Sequence, residues 1–166
     1  MRIIPQCAGK RATIATAIVM IMLGIPTPGR AAENAIVATL VGSWGGSGRI
    51  QYTDGSSESI QCTAYYTGGG NELRMAIQCQ SQSNSIHMRS RLRIDGARAS
   101  GDWEERTFNA NGSASGRVGG SSMSLSLSGG GFTGSMSVSF GKSQHSVSIS
   151  TQGIGMSKAT IGFNRR

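Results

Sequence analysis

The residues able to do chemistry are few and scattered. His87 and His145 are the only histidines, and they fall on separate segments far apart in the chain. No His, Cys, Asp or Glu cluster has the spacing of a metal site. No serine sits in a Gly-x-Ser-x-Gly elbow. Gly141-Lys142-Ser143 lacks the upstream glycine of a phosphate-binding loop and falls in strand-like sequence. These absences predict a protein that is not an enzyme and has no catalytic residue, no metal and no cofactor. The cysteines are the exception. Cys7 lies in an N-terminal segment of different character, which leaves Cys62 and Cys79 as an even pair. In an exported chain such a pair is most simply a disulfide.

The elements that carry these residues show a period of two, the mark of half-buried strands. Met123, Leu125 and Leu127 alternate with Ser124, Ser126 and Ser128. Phe132, Met136, Val138 and Phe140 alternate with Thr133, Ser135, Ser137 and Ser139. Val147 and Ile149 alternate with serines. Turn signals separate the runs: Asp54-Gly55, Gly68 to Asn71, Asp95-Gly96, Asn111-Gly112, Gly119-Gly120, Gly129 to Gly131, and Gly153. About nine or ten short strands result. One apolar face per strand predicts an all-β domain, either a small antiparallel up-and-down β-barrel or a two-sheet sandwich. Consecutive hairpins favour the barrel, and Gly46, Gly48, Gly101, Gly116 and Gly134 suit its sharp bends. Only Glu33 to Val41 offers a helical turn, or equally a lead-in without one.

Register sharpens the cysteine argument. With Gly70-Asn71 as a two-residue turn, glycine first, Tyr66 faces Met75, Ala64 faces Ile77, and Cys62 faces Cys79 on the apolar side. Opposed Cβ atoms in such pairs lie within about 5.5 Å, close to disulfide reach. The short loop so closed stabilises the fold by about 2–3 kcal/mol.

The same parity places Trp44, Tyr52, Tyr66, Met75, Met88, Trp103, Met136 and Phe140 inside. They are the candidate ligand-binding residues, because methionines and a few aromatics make an adaptable apolar wall. The competing expectation is a core filled by these same side chains, since barrels of about 8 strands are often only wide enough for that. Glu105 shares the parity of Trp103. Either it points inward as the polar group of a pocket, or an irregularity near Thr107 to Asn111 turns it out. On the outward face His87, Arg89, Arg91 and Arg93 form a basic stripe. A turn at Asp95-Gly96 sets Arg89 against Asp102 and His87 against Glu104, which reads as a charge ladder. Nucleic acid is not an expected partner, given so few aromatics for stacking.

Residues 1–31 read as a cleaved signal peptide. Arg2, Lys10 and Arg11 precede the apolar run Ala12 to Leu23, and Gly29-Arg30-Ala31 offers small residues at the cut. The run falls short of the ~18 residues of a spanning helix, so no transmembrane segment remains after cleavage. The full chain carries +8. Four basic residues (Arg2, Lys10, Arg11, Arg30) lie in the leader, which leaves 12 basic against 8 acidic residues, or +4. Residues 32–40 form a lead-in and 41–166 a single β domain. The expected location is periplasmic or secreted. An outer-membrane barrel is disfavoured, because one face of the late strands is serine where lipid requires an apolar band.

Leu40-Val41-Gly42-Ser43-Trp44 resembles the start of the first strand in lipocalin-like and streptavidin-like barrels, and Gly101-Asp102-Trp103 repeats the pattern. The chain is also similar to uncharacterised exported proteins of alphaproteobacteria. The carrying residues are Ser43 to Gly48, Gln61 to Tyr66, Trp103 to Ala110, Gly129 to Phe132 and Ser146 to Gly153. The second likeness implies no function, and the first implies a fold. Together the observations predict an exported barrel that binds a small apolar or amphipathic ligand. The alternative is a cell-envelope interaction or structural protein, or an inhibitor of a secreted enzyme, meeting an envelope protein through its rim loops or the basic stripe.

Overall fold

The computed structural model describes residues 35–166; the expected leader and its cleavage point lie outside them. Ten strands follow one another: β1 (Gly42–Tyr52), β2 (Ser57–Gly69), β3 (Glu72–Gln80), β4 (Ser85–Asp95), β5 (Arg98–Glu105), β6 (Ala110–Gly119), β7 (Ser122–Gly129), β8 (Phe132–Phe140), β9 (Gln144–Gln152) and β10 (Met156–Arg165). Each is antiparallel to its neighbours in sequence, and β10 closes onto β1. The fold is therefore a closed up-and-down barrel, not a sandwich. Closure leaves no strand edge unpaired, which a serine-rich, regular sheet would otherwise expose.

Period two explains the wall. In β7, Met123, Leu125 and Leu127 are buried while the intervening serines are exposed. The outside of the barrel is polar and the inside apolar, the reverse of a lipid-facing barrel. At Gly101 and Gly116 the strands approach so closely that a Cβ would collide with the carbonyl oxygens of Arg91 and Ser124. Only glycine permits that coiling.

Cys62 and Cys79 face each other across β2 and β3, Cα atoms 4.1 Å apart, and form a disulfide. The expected register of this hairpin is the observed one. Two other expectations require correction. In β4–β5 the loop is Gly96-Ala97, with Asp95 opposite Arg98, so Arg89 faces Glu104 and Arg91 faces Asp102. The slip is by two residues, which preserves every face. Its cause is Gly96, whose φ of 58° puts it at the first loop position, as at Gly70. Asn111-Gly112 is not a turn. It lies inside β6, and the chain reverses at 106–109, where Asn109 takes a φ of 51°.

Residues 35–40 are helical. Ile36, Val37 and Leu40 are buried in the core, so this segment closes one end of the barrel. The Trp44 indole N–H donates to the Leu40 carbonyl at 2.8 Å. Arg165 secures the helix end from the other side: its guanidinium donates to the carbonyls of Thr39 at 2.5 Å and Val41 at 2.9 Å. It also lies 4.3 Å above the Trp44 ring. A cation that satisfies the last carbonyls of a helix complements its dipole.

Candidate functional site

The two ends of the barrel are packed differently. Near the helix, Trp44, Leu73, Leu92 and Ile94 are wholly buried. Toward the far end, Ile77, Ile86, Met88, Phe132 and Met156 are only partly buried, although they point inward. They border a cavity of about 500 Å³. Leu40 of the helix forms its floor. Its mouth lies among the loops that join β1 to β2, β3 to β4, β5 to β6, β7 to β8 and β9 to β10. The width follows from ten strands and from small inward residues such as Ala110, Ala114 and Ser90 on the wall.

Of the residues expected to meet a ligand, Tyr52, Tyr66, Met75, Met88, Trp103, Glu105 and Met136 line this cavity. Trp44 and Phe140 do not. They point inward as parity requires, but belong to the plugged end, where Trp44 packs edge-on against His145 at 4.5 Å and Phe140 pairs with His145 across β8 and β9. Sequence reasoning missed Leu40, Asn84 and Phe108. Phe108 sits on the 106–109 turn and is 63% exposed, yet its ring borders the mouth. It also missed Glu58, which is not on the cavity wall but bonds the wall residues Tyr52 and Asn84, and whose parity with Ile60 and Cys62 was readable in β2.

The polar groups gather at the mouth. The Glu58 carboxylate accepts hydrogen bonds from the Ser83 hydroxyl at 2.6 Å, from the Tyr52 hydroxyl and from the Asn84 amide at 3.2 Å. These donors, Ser83 foremost, hold its pKa down to about 2. The Tyr52 phenol is pushed up, first by burial and then by its bond to that carboxylate. Glu105 points into the mouth, as one of the two expectations had it. Its oxygens accept the backbone N–H groups of His87 at 2.6 Å and Phe108 at 2.7 Å, which ties the 106–109 turn to β4. Deeper in the wall, the Ser90 hydroxyl is buried without a hydrogen-bond partner.

At the helix end of the cavity Tyr66, itself on the wall, joins His145 by a 3.0 Å hydrogen bond. Burial raises the Tyr66 pKa. It lowers that of His145 to about 4, with the Arg165 charge adding to the effect. Among the described residues no group of three or more His, Cys, Asp or Glu could hold a metal ion. No helix among them is long and apolar enough to cross a membrane. On the outer wall the basic stripe is interleaved across strands with acids: Glu72 opposite Arg93, Glu104 opposite Arg89, Asp102 opposite Arg91.

No protein-family model matches the chain, and no curated protein does. Solved structures do. The chain is similar to Rv2717c from M. tuberculosis, with a TM-score of 0.63 at 14% identity over 84% of this chain and 98% of that one. It is also similar to the S-type phycobiliprotein lyase CPES from Guillardia theta, with a TM-score of 0.57 at 14% identity over 83% of this chain and 94% of that one. At such identity the likeness shows the fold alone, and fold does not fix function. The lipocalin-like side of the sequence resemblance thus stands as a barrel fold. The expectation that the protein is not an enzyme is corrected: the same architecture occurs in a protein described as a lyase, so missing catalytic motifs do not exclude an enzyme.

Proposed function

We propose that this protein is a binding barrel that takes one small apolar or amphipathic molecule through its open end. The observation that carries the reading is the cavity of about 500 Å³, walled almost wholly by apolar side chains and left partly exposed at the end away from the helix. A volume of this order is typical of small-molecule sites. Leaving Ile77, Ile86, Met88, Phe132 and Met156 half-covered forgoes roughly 1 kcal/mol or more at each. A bound hydrophobe recovers that burial. Met75, Met88, Met136 and Met156 around the cavity can repack to fit different shapes. Export is part of the proposal. Its support is the leader-like sequence over 1–31 and the disulfide, which persists in oxidising compartments.

The test is binding of the neutral fluorescent dye N-phenyl-naphthylamine to the full chain, with native mass spectrometry for any ligand carried through purification. Saturable dye binding is expected. Ala110→Trp, which adds bulk at a partly buried mouth position, should weaken it at least about tenfold and leave the free energy of unfolding within about ±0.5 kcal/mol. A chain that binds neither dye nor any copurified hydrophobe would sink the reading.

A further inference from the structure

Glu105 lines the mouth of the cavity, and Glu58 stands beside it, hydrogen-bonded to the lining residues Tyr52 and Asn84. Glu58 and Glu105 stand at inward positions near the mouth-side ends of β2 and β5, strands separated only by β3 and β4. Among the described residues, the hydrogen bonds to either carboxylate come from neutral groups: the Tyr52, Ser83 and Asn84 side chains and the Ser83 backbone N–H for Glu58, and the His87 and Phe108 backbone N–H groups for Glu105. Neither is in an ion pair among the described residues. The arginines that pair with acids do so on the outer wall, Arg74 and Arg91 with Glu72, and Arg106 with Glu104 at 3.9 Å. No lysine or arginine lines the cavity. Glu105 uses two of its roughly four acceptor positions on backbone groups, so acceptor capacity remains at the mouth.

We infer that, granted the binding reading above, the occupant is an apolar molecule with a cationic head, such as a long-chain amine, its tail in the cavity and its head between Glu58 and Glu105. A cation there meets two uncompensated carboxylates above a low-dielectric interior, where charge interactions exceed their strength in water. A carboxylate head meets the same field with opposite sign. The hydroxyl, amide and backbone donors around Glu58 keep it ionised through the neutral range, so the preference does not fade there.

The experiment displaces N-phenyl-naphthylamine from the full chain with dodecylamine, dodecanol and dodecanoate at pH 7 and low salt, each below its micelle-forming concentration. The amine should bind about tenfold more tightly than the carboxylate, with the alcohol between them, because reversing the head charge changes the interaction with both glutamates. In Glu58→Gln combined with Glu105→Gln the amine-to-carboxylate ratio should fall toward one. High salt should shrink it in the unaltered protein by screening, which keeps the inference testable if the double variant does not fold. Equal affinity for all three, or tighter binding of dodecanoate, overturns the cationic head and leaves the apolar site standing. No binding of dye or any competitor overturns the binding reading itself.

Discussion

His145 shows what a single side chain contributes away from the cavity. Its ring stacks on Phe163 with centroids 4.6 Å apart and meets Trp44 edge-on. Nε2 is hydrogen-bonded to Tyr66, while Nδ1 is buried without a partner. A neutral ring fits this site. A proton would add an unsolvated charge beside Arg165, which is why the pKa falls to about 4. The unfolded chain titrates near 6.5 and so binds more protons below that pH. Stability from this group is therefore full above pH 6.5, declines as the pH falls toward 4, and is lost below that. The expected loss is on the order of 2 kcal/mol, less than the whole shift because solvent relaxation moderates the penalty. Urea unfolding at pH 7.5 and 4.5 measures it. His145→Phe should flatten this part of the profile, and an unchanged slope in that variant would refute the assignment.

At the scale of the strand, the inward glycines set the curvature. A Cβ at Gly116 would meet the main-chain oxygen of Ser124 in β7, which cannot swing away as a side chain can. Gly116→Ala should cost about 1–3 kcal/mol through forced strand separation. Gly119, three residues on, has nothing within 4 Å of the same position, and Gly119→Ala should fall within about ±0.5 kcal/mol. Chemical denaturation of the two variants separates them, and equal effects would remove the close-approach explanation. Turn chemistry works at this scale too. Gly70, Gly96 and Gly120 have φ of 58°, 58° and 57°, and each opens a two-residue loop. The rule that glycine comes first set the β2–β3 register correctly. Applied to Gly96 it would have corrected β4–β5.

For the whole molecule, stability and function divide along the barrel axis. The helix end holds Trp44, Leu73 and Ile94, wholly buried and off the cavity, and the open end holds the partly exposed stretch of the cavity wall. Leu73→Ala, at a wholly buried site away from the cavity, should cost about 2–5 kcal/mol. Met88→Ala, at the cavity wall, should cost under about 1 kcal/mol, because little packing is lost where little exists. Thermal or urea unfolding of the ligand-free chain decides between this division and a uniformly packed core, for which the two losses would be alike.

Strand number, strand faces and the Cys62–Cys79 pair were legible in the sequence by itself, because period two and hairpin turns are local. Most inward-facing residues are apolar whatever lies across from them, so parity identified Met75, Met88, Trp103 and Met136 without a structure. Parity does not encode depth along the barrel. Trp44 and Phe140 satisfy it as fully as Met88 does, yet they sit under the helix rather than at the cavity. Closure of β10 onto β1, seating of residues 35–40 as a plug, and the clamp from Arg165 join segments more than a hundred residues apart. Whether ten inward rows of side chains fill their own barrel depends on its radius and on all of those rows together. For that physical reason only the tertiary structure decided that a cavity exists, where its mouth lies, and that Glu105 borders it with Glu58 held beside it by Tyr52 and Asn84.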